Sequence, residues 1–130
     1  MIYTNPLISE DFISDNIIWN VIRIDTRSFN LPVDVFLDES NIAASNNLPE
    51  FILFRNSYDN NSRDYMPMNI SDNIILLSDK KLNINIQDLY KIHEWMTKYR
   101  NFISEISKCK LYATDFLEHF SLLSKKSIKI

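Results

Sequence analysis

The chain contains no glycine in 130 residues. Glycine takes positive φ without steric cost and lets the backbone approach a phosphate closely. Its absence removes the P-loop, the dinucleotide-binding Gly-x-Gly turn, the Gly-x-Ser-x-Gly elbow and the glycine-dependent EF-hand loop. The usual short signatures of nucleotide use, serine hydrolysis and calcium sensing are therefore excluded as written. Asn and Asp tolerate αL geometry and make local side-chain turns, so they are expected to take over glycine's turn duties. The polar run 55–64, Arg-Asn-Ser-Tyr-Asp-Asn-Asn-Ser-Arg-Asp, is the place where that exchange is expected.

The length suits a single domain over residues 1–130. Hydrophobic residues at 45% and charged residues at 24% are ordinary for a globular chain, and eight Phe, six Tyr and two Trp supply material for a core. No apolar run approaches the roughly 20 residues that span a bilayer. The start, Met1-Ile2-Tyr3-Thr4-Asn5-Pro6, lacks a basic n-region and an apolar h-region, so no secretory signal is expected. Cys109 is the single cysteine, which excludes an intrachain disulfide and leaves too few Cys and His for a structural zinc site. The expected compartment is the cytoplasm, with no cofactor and no metal. Abundant Asn and Ile suit an AT-rich coding sequence, as in a low-GC bacterium or a phage.

Charge is unevenly placed. Residues 1–64 hold ten acids against four bases, whereas residues 65–130 hold seven acids against ten bases, and every lysine lies at Lys80 or later. One reading is that loops carry solvated acids and helices carry solvated lysines. The sharper reading is that the acidic half faces a basic partner surface, because complementary potentials steer encounter and set register. A third is weak, salt-sensitive contact between nucleic acid and the C-terminal lysines.

Hydrophobic periodicity predicts an α+β layout. Ser9, Glu10 and Asp11 can open a short helical turn. Strands are expected over 17–25, dense in β-branched residues and buried on much of both faces, and over 33–37, 51–54, 66–70 and 74–77. Residues 38–48 read as a loop. From Asn85, a candidate N-cap with Asp88 three residues on, Leu89, Ile92, Met96, Tyr99, Ile103 and Ile106 recur at helical spacing. The expectation is an antiparallel sheet of about five strands over residues 17–78, covered on one face by a long helix over about 86–107 and a shorter one over about 115–124.

Several side chains can carry chemistry. His93, Asp34 and Asp38 would serve a small metal-dependent hydrolase or nuclease if they converged, yet a lone histidine on an apolar helix and acids at a strand end are usually structural. His119 shows no ligand spacing with His93. Cys109, between Lys108 and Lys110, has neighbours that favour a thiolate but no marked base. Asp59-x-Asn61-x-Arg63 lacks the glycine and glutamate of a calcium loop. The favoured candidates are partner-binding residues. These are Asp34, Asp38 and Glu39 after the second strand, with Arg55, Tyr58, Asp59, Arg63, Asp64 and Tyr65 in and beside the polar loop. Tyr and Arg dominate interface hot spots.

Leu31-Pro32-Val33-Asp34-Val35-Phe36-Leu37-Asp38, Met66-Pro67-Met68-Asn69-Ile70-Ser71-Asp72-Asn73, the long helix and Asp115-Phe116-Leu117-Glu118 together resemble small uncharacterised bacterial α+β proteins found near mobile elements. The likeness spans roughly residues 30–120. It implies the α+β layout and carries over no activity and no catalytic residue. The expected function is a non-enzymatic protein-binding module, such as a phage or mobile-element inhibitor whose carboxylates occupy a basic, nucleic-acid-binding site on a host protein.

Overall fold

A computed structural model describes residues 2–108. Cys109, His119 and the helix expected near 115–124 lie outside the described residues. Six strands form one sheet: β1 Ile2–Thr4, β2 Val21–Ile24, β3 Val35–Asp38, β4 Phe51–Arg55, β5 Tyr65–Asn69 and β6 Ile74–Leu76. Their spatial order is β1-β6-β5-β4-β3-β2.

The core of the sheet is a meander whose register follows from side-chain alternation. Ile24, Val35, Phe54 and Met66 make one cross-strand row, and Ile22, Leu37, Ile52 and Met68 make the next. All eight side chains join a single apolar cluster. The sheet is mixed, not wholly antiparallel, because β1 runs parallel to β6 with Ile2 opposite Ile74. A three-residue strand has too few positions to show a period-2 pattern, so β1 is invisible to periodicity. Pro67 sits in β5, an interior strand. Its carbonyl accepts from Leu77 N at 2.8 Å, so its missing N–H also faces β6. β5 and β6 share only the bridging pair Met68–Leu76 there, so the proline costs little ladder.

The strand expected over 17–25 is shortened at its start. Residues 10–20 are instead one helical segment: α1 Glu10–Phe12, a π-helical turn Ile13–Ile17 and a 3₁₀ turn Ile18–Asn20. Ser9 caps it, its Oγ accepting from Phe12 N at 3.1 Å. Ile13 and Ile17 face inward, and with Ile8, Phe36, Ile42, Ala43, Phe51 and Leu53 they form a second apolar cluster. The sheet is thus covered on both faces. The 8–20 segment and α3 (Ile42–Ser45), which lies inside the expected 38–48 loop, cover one; α4 (Ile86–Lys98) and α5 (Arg100–Ser107) cover the other.

The expected single long helix is two helices, broken at Tyr99 with φ −108° and ψ 19°. Leu89, Ile92, Met96, Ile103 and Ile106 all remain buried across the break. The break turns α5 onto β3, where Ser107 reaches Asp38, and Ser104 and Lys108 reach Glu50. A short helix α2 (Thr26–Phe29) follows β2, capped by Asp25, which accepts from Arg27 N at 2.8 Å. That N–H, aided by Thr26 and two arginines, holds the Asp25 carboxyl below its ordinary 3.8.

Asparagine does replace glycine, but not in the 55–64 run. Among the described residues the three at positive φ are Asn30, Asn41 and Asn47, at φ 56°, 55° and 56°. They end α2, open α3 and turn the chain after α3. Substituting Asn41→Ala is expected to cost about 1 kcal/mol in urea unfolding, whereas Asn41→Gly is expected to be neutral or slightly stabilising.

Candidate interaction surface

Most of the polar side chains singled out in the sequence are committed to holding the fold. Asp34 is buried (8% exposed) on the second face of the sheet. Its Oδ2 accepts from Arg55 Nη2 at 3.2 Å and its Oδ1 accepts from Thr26 N at 3.3 Å, so it braces both β4 and the start of α2. The Arg55 guanidinium lies 5.6 Å from the Phe36 ring and 5.7 Å from the Tyr65 ring, and Nη1 donates to the Ser62 carbonyl. Asp38 is 2% exposed. It accepts from the N–H groups of Ser40, Ile42 and Ala43 at 3.0, 3.2 and 3.2 Å and from Ser107 Oγ at 3.3 Å. It thereby caps α3, whose own Asn41 makes no side-chain cap, and ties α3 to α5.

Asp34, Asp38 and Arg55 therefore do not form an accessible contact surface. Each is buried, surrounded by the backbone donors and rings it stabilises. Nor do Asp34, Asp38 and His93 converge. His93 Nε2 pairs with the Ser71 carbonyl at 2.9 Å, and the three side chains share no partner. Among the described residues no group of three His, Cys, Asp or Glu is placed to hold a metal ion.

The 55–64 loop is a clamp on residues 80–88. Asn56, fully buried, donates to the Asp64 carboxylate at 3.1 Å and to the Lys81 carbonyl at 2.8 Å, and accepts from Asn83 N at 2.8 Å. Asp64 also accepts from Lys80 Nζ at 2.9 Å and Asn83 Nδ2 at 3.1 Å. Asp59 accepts from Asn61 N at 3.0 Å within its own turn. Tyr58 performs the capping expected of Asn85. Its oxygen accepts from Asn85 N at 2.8 Å while its O–H donates to Asp88, inserting a phenol into what would be a capping box. The Asn85 N–H is the largest single influence on the phenol and favours phenolate. Donation to Asp88, loss of hydration and the charge of Asp88 outweigh it and hold the Tyr58 pKa above 10.0. Glu39 and Arg63 are exposed, and Tyr65 is half-buried beneath Arg55. Asn56, at the centre of this network, carries no local sequence signal that distinguishes it from the other asparagines of the loop.

Removal of these partners leaves a surface at the N-terminal helical segment. Opposite the buried Ile13 and Ile17 stand Asp11, Asp15 and Trp19, four residues apart and all exposed. Trp19 is 82% exposed. Asp11 and Asp15 make no hydrogen bond or ion pair among the described residues, whereas Glu10 pairs with Lys80 at 3.0 Å. A shallow cleft flanks the segment on each side. One, of about 370 Å³, is lined by Pro6, Leu7, Phe12, Leu48 and Asp79; the other, of about 210 Å³, by Glu10, Asp11, Ser14, Arg63, Tyr65 and Lys80. The sequence holds one signal for this face: residues 1–22 contain three acids and no base. The strand expected over 17–25 hides this face, because it places Trp19 on a strand buried on much of both faces.

Compared with known proteins, the chain matches no family model, no curated protein and no solved structure. Among the described residues no helix is long and apolar enough to cross a membrane. Lys80, Lys91 and Lys108 each pair with a carboxylate, whereas the exposed Lys81 and Lys98 form no ion pair among the described residues.

Two measurements check the structural assignments. Asp34→Ala leaves the Arg55 charge buried and is expected to cost about 3–5 kcal/mol in chemical denaturation. Tyr58→Phe is expected to cost about 1 kcal/mol by loss of the cap. Because the folded Tyr58 pKa lies above the unfolded value of 10.0, its contribution is complete below pH 10 and is lost as pH rises through the folded value. An alkaline stability titration should show that loss in the natural chain and not in Tyr58→Phe.

Proposed function

We propose that the chain is a protein-binding module that docks the face carrying Asp11, Asp15 and Trp19 on a basic surface of another protein. The observation that carries this reading is Trp19, 82% exposed on the same helical segment as two carboxylates that form no ion pair among the described residues. An isolated fold gains nothing from a solvated indole, and Trp is the residue most enriched among interface hot spots. Fixed carboxylates around it attract a basic partner and exclude an acidic one.

The acidic N-terminal half supports the same reading, and so does the absorption of the sequence-selected acids into structural roles. A site that normally receives nucleic-acid phosphates is the kind of surface such carboxylates fit, because they present negative oxygens from a rigid support. A mobile-element inhibitor that occupies a host's basic groove would work in this way, by complementarity rather than turnover.

Affinity capture with the natural chain, with Trp19→Ala and with Asp11→Lys/Asp15→Lys checks the reading. A specific protein should be captured by the natural chain, with affinity about 30-fold lower for Trp19→Ala, in line with about 2 kcal/mol for a hot-spot tryptophan. Binding should weaken as salt is raised and be abolished by the charge reversal. Capture that is indifferent to both variants removes the proposal.

A further inference from the structure

The larger cleft beside the docking face has a composition of its own. Its apolar walls are Pro6, Leu7, Phe12 and Leu48, the polar side chains Ser9 and Asn46 also line it, and the charged group among its lining residues is Asp79. Asp79 is exposed and makes no hydrogen bond or ion pair among the described residues. The adjacent base cannot neutralise it, because Lys80 Nζ is held by Glu10 at 3.0 Å and Asp64 at 2.9 Å. Both walls are fixed before any ligand arrives. Asn5 N and Ile8 N donate to the carbonyls of Leu76 and Leu77, each at 2.9 Å, and Leu48 N donates to the Ala43 carbonyl at 2.8 Å. Leu7 nevertheless remains 49% exposed at the mouth.

We infer that this cleft is the seat of an arginine side chain from the partner protein. This rests on the reading of the N-terminal face as a docking surface and names the group that docks. Arginine joins an apolar stem to a planar cation, and the cleft offers a mixed lining with an apolar side of Pro6, Leu7 and Leu48, polar groups at Ser9 and Asn46, the half-buried Phe12 ring and one carboxylate unpaired among the described residues. A guanidinium can meet a carboxylate with two parallel hydrogen bonds and stack on an aromatic ring, which an ammonium cannot do. A volume of about 370 Å³ exceeds one side chain, so an apolar neighbour of the arginine enters with it. Asp11 and Asp15 supply the field that brings a cationic segment to this edge.

The probe is the blocked peptide acetyl-Ala-Leu-Arg-Leu-Ala-amide, with lysine and citrulline versions, titrated into the ¹⁵N-labelled full chain. The arginine peptide should produce saturable amide shifts at Leu7, Ser9, Leu48 and Asp79. The lysine version should bind about tenfold more weakly, and the uncharged citrulline version should give no saturable shift. Asp79→Asn, which removes no internal bond, should lower affinity at least about tenfold. Trp19→Ala, outside the cleft, should leave peptide affinity within about twofold. The inference is overturned if the citrulline peptide binds equally, if Asp79→Asn binds unchanged, if the shifts map elsewhere, or if none saturates at millimolar peptide. Each such result leaves the docking face intact when Trp19→Ala still weakens partner capture. Peptide binding combined with capture indifferent to Trp19 removes the docking face and keeps the cleft.

Discussion

The fold depends on the burial of both faces of β4. Five consecutive residues, Phe51 to Arg55, are buried, and alternation sends Ile52 and Phe54 to one cluster and Phe51 and Leu53 to the other. A strand in that position requires a layer on each side. α4 and α5 supply one layer, and the 8–20 segment with α3 supplies the other. The last of the five residues is a cation, so the second face ends in an ionic knot instead of more apolar surface. Desolvating a charge pair is expensive, and the pair holds only because hydrogen bonds and ring faces compensate. Arg55 meets most of those terms with Asp34, the Ser62 carbonyl, Phe36 and Tyr65, while its buried Nε finds no hydrogen-bond partner among the described residues. Its backbone N–H to the Asp34 carbonyl at 3.0 Å ties the same two segments through the main chain.

A chain without glycine must end and begin its short helices by other means, and here side-chain oxygens take that work. Asp25 and Asp34 serve α2, Asp38 serves α3, Ser9 serves α1 and Tyr58 serves α4. Three asparagines supply the left-handed turns. The consequence for function is direct. Acids that look like surface or catalytic groups in the sequence are used up as caps, and a loop that looks like a recognition surface is used up as a clamp. Among the groups that make no side-chain hydrogen bond or ion pair within the described residues are Asp11, Asp15, Asp79 and the exposed Trp19, all on or beside the N-terminal helical segment. Binding chemistry is found by subtraction, because a group already satisfied within the fold gains nothing from a partner.

The contrast between legible and illegible parts follows the range of the interactions. Strands β3 to β6 and the buried stripe of α4 and α5 come through because each repeats every two or every three to four residues within a short window. Ser9 as a cap is legible for the same reason, since its partner is three residues away. The pairing of β1 with β6 joins residues 2–4 to 74–76 and leaves no local trace. The break at Tyr99 keeps the apolar stripe intact on both sides, so periodicity passes straight through it. For the interaction surface, the acid-rich start was readable as composition, but Trp19 was not readable as exposed. Its neighbours Ile17, Ile18, Val21 and Ile22 have strand propensity, and the inward pull of Ile13 and Ile17 on the second cluster overrides it.

The amino-acid order alone determined the α+β class, the stretches that are apolar, the absence of glycine-built sites and the bias of negative charge toward the N-terminal half. These are properties of residue types and near-neighbour spacing, and they exist before any fold does. Only the tertiary structure decided which carboxylates are spent and which are free. That outcome depends on contacts between residues far apart in the chain, such as Asp38 with Ser107, Asn56 with Asn83 and Tyr58 with Asp88. An aspartate carries the same charge in every sequence, and whether it caps a helix or faces water is settled by the backbone that folding brings beside it.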